Sequence, residues 1–544
     1  MFDKIKKLMK KLLVLFGVLF FISCEDEAVV LESIVETDIP NPVEVIDLNP
    51  LAIQQIIFEA ELNSTLEEDV VLEFDGKNTF SGLAPLEADI NNLIPSFDIE
   101  DAEGVVYMDN EIVESGLTVK DFSKEVVVKT ESADETASSV YLVRLAFDSG
   151  LPALYINVEG GQEIEYSDVK NKFYYDANLS LYGGLDFDDI ESTDMKIRGR
   201  GNSTWYYGSN LGKKPYQIEF LEQQEVLGMP SDRRWVLLAE NSDKSLIRNK
   251  IAFYISSLSH LEYTPKGKYV DLYFNGSPMG TYLLAQKAEV TNNRLDIGPT
   301  GYLLEITQGG RLKDSDVRYE SSRMKDMIGW AANDLVFTIK YPLIQSGGTE
   351  YQEIKNHIDA FEAALFSSDF KDPEVGYRSY IDVASFVDWY VIQEIAKSVD
   401  AKWYSSIFLN YVPGKKIKMG PLWDFDLSFG NCAYPEWNFY DSYEIEGYHI
   451  KRNPWWDRLF QDPYFVSQVK NRFQYFKNRM PEILSKIDEY GKLLDVSQQK
   501  NYELWGTLGQ WFWPNPIWFD TYQEEVDHLK QWMTERVNWL DSDL

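Results

Sequence analysis

The sequence predicts an α+β protein, in which a small all-β domain precedes a larger mixed domain. Two observations predict it. Short β-branched runs separated by turn residues fill positions 51–148, the pattern of an immunoglobulin-like sandwich. Beyond Ser149-Gly150-Leu151-Pro152, strand-like and helical patterns alternate to the C-terminus. A chain of 544 residues, 44% hydrophobic and 26% charged, is long enough for several folded domains.

The first 50 residues read as an address and a tether. Lys4, Lys6, Lys7, Lys10 and Lys11 form a basic start, and positions 12–22 form an apolar stretch too short to span a bilayer. The stretch ends in Phe21-Ile22-Ser23-Cys24, which resembles a bacterial lipobox. This predicts a signal peptide over 1–23, lipidation at Cys24, and an extracytoplasmic place on the outer membrane or cell surface. The acidic run Glu25-Asp26-Glu27 resembles the surface-export signal of Bacteroidetes-type lipoproteins. Residues 24–50, acidic and interrupted by Pro40, Pro42 and Pro50, read as the tether.

In the β domain (51–148), Val70 to Phe74 runs into Asp75-Gly76, a hairpin signal. Val105 to Tyr107, Val126 to Val128 and Val140 to Phe147 are further strands. In the mixed domain (152–544), Lys196 to Arg198 and Tyr216 to Phe220 read as strands, and Ser245 to Ser257 as a helix capped by Ser242 or Asp243. Tyr269 to Phe274 and Thr281 to Ala285 flank Asn275-Gly276, the strongest two-residue hairpin cue. Apolar residues at 383, 386, 387, 390, 391 and 395 predict a helix with one buried face. Glu524 to Leu540 predicts the last helix.

Composition removes several classes of function. The formal net charge of −36 disfavours nucleic acid and anionic lipid as general partners. Two cysteines, Cys24 and Cys432, cannot form a disulfide framework. The four histidines are scattered without metal-ligand spacing, which argues against a zinc hydrolase.

The informative pair is Asp400 and Asp424. The helix ending near Ser398 leads into Asp400; Ile407 to Tyr411 then forms a strand, and 417–423 runs back to Asp424-Phe425-Asp426. The open ends of such a hairpin lie together, because paired strands are only about 5 Å apart. Two convergent carboxylates can divide two roles: one accepts a proton from a hydroxyl, and the other holds Mg²⁺ on a nucleotide phosphate. Helix, aspartate loop, hairpin and metal aspartate occur in the same order in a protein-kinase catalytic segment.

Ordered blocks over 152–544 resemble the CotH family of atypical kinase-like proteins. The blocks are Arg198-Gly199-Arg200-Gly201-Asn202-Ser203-Thr204-Trp205, Lys213-Lys214-Pro215-Tyr216, Trp235-Val236-Leu237-Leu238, Asp243 to Asn249, Gly280 to Leu284, and Trp423-Asp424-Phe425-Asp426. The resemblance implies an atypical kinase-like domain that transfers the γ-phosphoryl group of ATP, with Mg²⁺ or Mn²⁺, to a protein Ser/Thr or glycan hydroxyl. It assigns the catalytic base to Asp400 and the metal to Asp424, with Asp426 able to share it. The Gly199/Gly201 turn, with Arg200, would approach phosphate. Lys214 reads either as the phosphate-binding lysine or as a surface lysine, and Arg248 either as a carboxylate or phosphate ligand or as half of a structural ion pair. Two positions depart from the pattern: Ser405 stands where a kinase carries a metal-binding Asn, and Gln286 where relatives carry Glu. The alternative is a non-catalytic glycan-binding, adhesive or structural surface lipoprotein. The tryptophans at 505, 511, 513 and 518 motivate its glycan-binding form, although most Trp residues serve packing. A glycosidase built on Asp424 and Asp426 is disfavoured, because side chains two apart on a strand face the same side.

Overall fold

The computed structural model describes residues 51–544, apart from positions 100, 102, 166, 169–171, 185, 202–203, 206–212, 309–311, 313–314, 322–334, 402–404 and 434–441. The lipobox with Cys24, the signal peptide and the tether therefore lie outside the described residues. Among the described residues, no helix is long and apolar enough to cross a membrane.

Residues 51–148 build two sheets. The smaller has the order Val70–Val71, Ile56–Phe58, Ser96–Phe97; the larger has the order Glu73–Phe74, Thr79–Ala84, Ser138–Phe147, Val126–Glu131, Val105–Met108, Glu111–Ile112. Both feed one core around Ile56, Phe58, Phe80, Val126 and Val143, all fully buried. The hairpin at Asp75-Gly76 forms as expected, pairing Phe74 with Phe80. Thr79–Ala84, however, runs parallel to Ser138–Phe147. That pairing joins segments remote in sequence, so no local turn signal announces it.

This module packs directly on the next layer. Arg144 donates to Glu125 Oε2 (2.7 Å) within the module and to Ser180 Oγ (2.6 Å) beyond it. The Glu125 N–H donates to the Gly276 carbonyl (3.2 Å). Residues 50–544 accordingly form one compact unit.

The mixed domain opens with a closed seven-stranded barrel. Its order is Ala153–Val158, Tyr175–Tyr182, Ile190–Gly199, Tyr216–Val226, Met229–Leu238, Ser277–Gln286, Gly267–Phe274. The last strand closes the ring by pairing parallel with the first; every other pairing is antiparallel. Asn275-Gly276 makes the predicted hairpin, with both residues at positive φ. Leu154, Ile156, Leu179, Ile197, Ile218, Trp235 and Leu284 fill the interior without remaining exposure. A second sheet follows, ordered Arg318–Tyr319, Leu335–Tyr341, Tyr302–Gln308, Ile407–Tyr411, Lys418–Met419.

Two helices differ from expectation. The first runs Arg248–Ser257, three residues later than predicted. Asp243 does not cap it: its carboxylate accepts from the N–H groups of Ser245 (3.0 Å) and Arg248 (2.7 Å), and Leu246 at φ +59° turns the chain before the helix starts. The second, Val383–Ala396, is capped by Asp382, which accepts from Ser385 N (2.9 Å). It was expected to bury one face, yet every residue from Ser385 to Ala396 is buried. Its other faces carry polar groups with dedicated partners. Asp388 pairs with Arg472. Glu394 accepts from the N–H groups of His449 (3.0 Å), Ile450 (2.6 Å) and Lys451 (2.9 Å), and from Arg536 Nη2 (3.0 Å). Arg536 comes from the last helix, Tyr522–Asp543, whose start is a capping box of Thr521 and Glu524. Trp455 and Trp456 are core residues against this central helix, with Trp389 and Trp456 ring centroids 4.8 Å apart.

Breaking one half of a buried ion pair leaves a charge without compensation. Arg536→Ala is expected to lower stability by about 3–5 kcal/mol, read as a shift in denaturant midpoint. A loss under about 1 kcal/mol would mean that the backbone amides alone satisfy Glu394.

Candidate active site

The central helix stops where Lys397 turns left-handed at φ +46°, and the chain enters the loop that holds Asp400. The Ser405 N–H donates back to the Asp400 carbonyl (3.1 Å), and Ser405 Oγ donates to Asp400 Oδ2 (3.1 Å). Ser406, at φ +59°, sends its hydroxyl the other way, to Asp424 Oδ2 (2.9 Å). Ile407–Tyr411 then leaves, and Lys418–Met419 pairs with it on the return. Consecutive serines thus hold two aspartates that lie 24 positions apart in the sequence. Ser405, weighed above as a metal position, bonds to the expected base instead.

Asp424 itself sits at φ +73°, sparsely populated for a residue with a side chain. Three groups hold this conformation. Ser406 binds the Asp424 carboxylate, Asn249 Oδ1 accepts from the next N–H, that of Phe425 (2.7 Å), and Ser242 Oγ donates to Asp426 Oδ2 (2.8 Å). Asn431 Nδ2 also donates to the Asp426 carbonyl (2.6 Å). Asn249 and Ser242 flank the start of the first helix, so its displaced beginning builds the wall of the site.

Asp400, Asp424 and Asp426 line one cavity of ≈ 320 Å³ between the barrel and the second sheet. Arg200 and Gly201 enter from the turn after Ile190–Gly199, Lys287 from the end of Ser277–Gln286, and Glu305 from Tyr302–Gln308. Gly201 lies at φ +95°, and a Cβ there would stand 2.5 Å from Thr204 Oγ1, so the turn requires glycine. The electrostatics are strained. Burial, and then the charge of Asp424, push the Asp426 carboxyl up to about 7. Burial pulls the Arg200 guanidinium down to about 10, opposed by Asp424 and Asp426. Arg200 also stacks over Trp423, with Cζ 5.5 Å from the ring centre.

Five of the site residues expected from sequence therefore converge: Arg200, Gly201, Asp400, Asp424 and Asp426. Two do not. Lys214 is absent from the lining, with its ammonium 5.1 Å over the Trp205 ring, outside the cavity. Lys287 lines the cavity, and its ammonium, 3.4 Å from Glu289 Oε2, is held below its ordinary range by burial. The only local signal for Lys287 was its place directly after a hairpin strand, which did not distinguish it from other lysines. Arg248 is fully buried and ion-paired to Asp243, and its Nε donates to the Ser428 carbonyl (3.1 Å). It clamps the chain just past Asp426, the structural reading of that residue. Gln286 accepts from Tyr263 (3.2 Å) and from the Lys266 N–H (3.0 Å), and it braces the barrel away from the cavity. Asn249, Glu240 and Ser406 are site components that spacing did not mark.

The acidic pair suits a hard divalent cation. Among the described residues, no group of three or more His, Cys, Asp and Glu forms a complete metal cage. Two carboxylates fit the habit of Mg²⁺, which takes one or two of them and completes its shell with phosphate oxygens and water. A cation there would also offset the burial and the Asp424 charge that together raise Asp426.

Because the folded-state value for Asp426 (about 7) exceeds its unfolded value of 3.8, the metal-free native state binds more protons, and stability falls as pH rises through that window. Asp426→Asn is therefore expected to raise the denaturation midpoint of the metal-free protein at about pH 8, with an upper limit of about 4 kcal/mol, and to gain less at about pH 5. The same difference at both pH values would refute the assignment.

No curated protein matches the chain. A solved structure of a "putative glycoside hydrolase" from Bacteroides thetaiotaomicron is similar at 12% identity, over 51% of this chain and 80% of that one. Its TM-score is 0.14, so nothing about this fold or site is carried over from it. A family model described as CotH kinase protein matches residues 197–540, which include every cavity residue named above. The chain belongs to the CotH kinase protein family.

Proposed function

We propose that the kinase-like domain transfers the γ-phosphoryl group of ATP to an acceptor hydroxyl. The observation that carries the reading is the convergence of Asp400, Asp424 and Arg200, from three separate segments, on one cavity. Asp400 takes the proton of the acceptor hydroxyl. The freed oxygen forms a bond to the γ-phosphorus as the bond to the β–γ bridging oxygen breaks, and ADP leaves. Asp424 and Asp426 would hold Mg²⁺ or Mn²⁺, which supplies charge neutralisation on the phosphates. Arg200 and Lys287 offer further positive charge to the same oxygens, and the Gly201 turn lets backbone approach them. Ser406 and Asn249 fix Asp424, and Ser405 orients Asp400. In this reading the protein is a secreted lipoprotein anchored through Cys24 to the outer membrane or cell surface. The β module, taken as an immunoglobulin-like sandwich, serves as its spacer.

A labelled-ATP transfer assay on the mature chain tests this. Asp424→Asn is expected to abolish transfer and to remove thermal stabilisation by ATP with Mn²⁺, with the circular dichroism spectrum unchanged. Asp400→Asn should slow turnover by about 10²–10⁴-fold while sparing nucleotide binding. Full activity in the Asp424 variant would refute the metal role.

The two lysines give a separate check. Lys287→Ala is expected to weaken ATP binding by about tenfold or more, whereas Lys214→Ala should change it less than about twofold. The reverse order in titration calorimetry would return the phosphate role to Lys214.

A further inference from the structure

We infer that the acceptor is a neutral glycan, seated on the aromatic loop 511–518 beside Asp426; the inference rests on the phosphotransfer reading above. The loop is closed at its stem by the Gly509 N–H, which donates to the Phe519 carbonyl (2.9 Å). It is tied to the acidic segment by a buried chain of hydrogen bonds. Asn515 Nδ2 donates to the Ser242 carbonyl (2.8 Å) and to Asn431 Oδ1 (2.9 Å). Ser242 and Asn431 in turn bind Asp426. The loop is therefore registered to the reacting centre and is not a loose surface feature.

Between loop and centre lies a slot of ≈ 20 Å³, lined by Asn241, Ser242, Asp426, Phe512, Trp513 and Pro514. Its space suits a single water-sized group such as a hydroxyl. Asn241 lines this slot with its residue only 8% exposed, and its Nδ2 has no hydrogen-bond partner among the described residues. A buried amide N–H without an acceptor is costly, so the Asn241 side chain gains a partner if it turns toward a ligand oxygen held in the slot. The slot also adjoins the main cavity, with which it shares Thr204, Asp426 and Leu427.

Outside the slot the loop presents aromatic faces. Trp511 is 59% exposed and Trp518 is 42% exposed, in a protein whose other described tryptophans mostly pack inside or under loops. Flat aromatic faces beside an uncharged donor recognise the apolar face and hydroxyl edge of a sugar ring. The net charge of −36 disfavours an anionic polysaccharide. An extended peptide would be read by rows of backbone donors and acceptors, and a lone amide donor in a hydroxyl-sized slot suits a sugar better.

The test uses the mature full chain with cellohexaose, maltohexaose, xylohexaose and triacetylchitotriose, followed by tryptophan fluorescence and calorimetry. At least one is expected to bind, and the double variant Trp511→Ala/Trp518→Ala to weaken it by about tenfold or more. Asn241→Ala should weaken it as well; if that variant misfolds, the exposed tryptophan pair still decides. Asp424→Asn should retain sugar binding, which separates this subsite from nucleotide chemistry. Absence of binding by all four sugars, or affinity unchanged in the double variant, overturns the inference. Phosphate transfer to a serine peptide without sugar binding overturns it while leaving the kinase reading intact. Sugar binding lost in the double variant, in a protein that ATP with Mn²⁺ does not stabilise, sustains the subsite and overturns the kinase reading.

Discussion

Five carboxylates, those of Glu240, Glu305, Asp400, Asp424 and Asp426, line one partly enclosed cavity, and the rest of the domain is arranged around that constraint. Burial raises the Asp426 carboxyl, and the like charge of Asp424 raises it further. The structure tolerates the repulsion by giving each acid a donor: Ser405 for Asp400, the Ser406 hydroxyl for Asp424, Ser242 for Asp426, Asn249 for Glu240 and the Ser406 N–H for Glu305. Arg200 and Lys287 bring positive charge to the same lining. Such an arrangement is poor for stability, and the cation and nucleotide of the proposed function would relieve it.

The scaffold behind the acids explains why they stay in place. The central helix, buried from Ser385 to Ala396, is tied by Glu394 to the backbone at 449–451 and to Arg536 of the last helix, and the loop that holds Asp400 leaves its C-terminal end. Arg248 clamps the chain beyond Asp426, and Asn249 fixes the amide beyond Asp424. These residues occupy the Asp243 to Asn249 block, whose value therefore lies in building the site wall and not in contacting phosphate. The same logic accounts for the strained backbone at Ser406 and Asp424, which a rigid surround can impose at functional positions.

Periodicity and turn chemistry made much of the fold legible. The Asn275-Gly276 hairpin, the later strands of the β module and the last helix stand where local signals put them, because each is specified by residues close in sequence, whereas the run Val70 to Phe74 divides between two sheets. The hairpin reading of Asp400 and Asp424 also succeeded, since strand pairing brings its open ends together. Local reasoning failed where tertiary partners decided. Asp243 has the composition of a helix cap but serves a turn and Arg248. The central helix has polar residues that suggest an exposed face, yet each of Asp388 and Glu394 is satisfied by a remote arginine.

What the amino-acid order determined by itself was a share of the elements and the meeting of Asp400 with Asp424 at one hairpin mouth, because propensity, capping and hairpin closure act over a few residues. What only the tertiary structure decided was which cations meet those acids. Barrel closure carries Lys287 into the cavity and leaves Lys214 over Trp205, a choice made by strand register across the ring. The position of loop 511–518 beside Asp426 was decided the same way, by hydrogen bonds spanning some 270 positions, for which no local pattern exists.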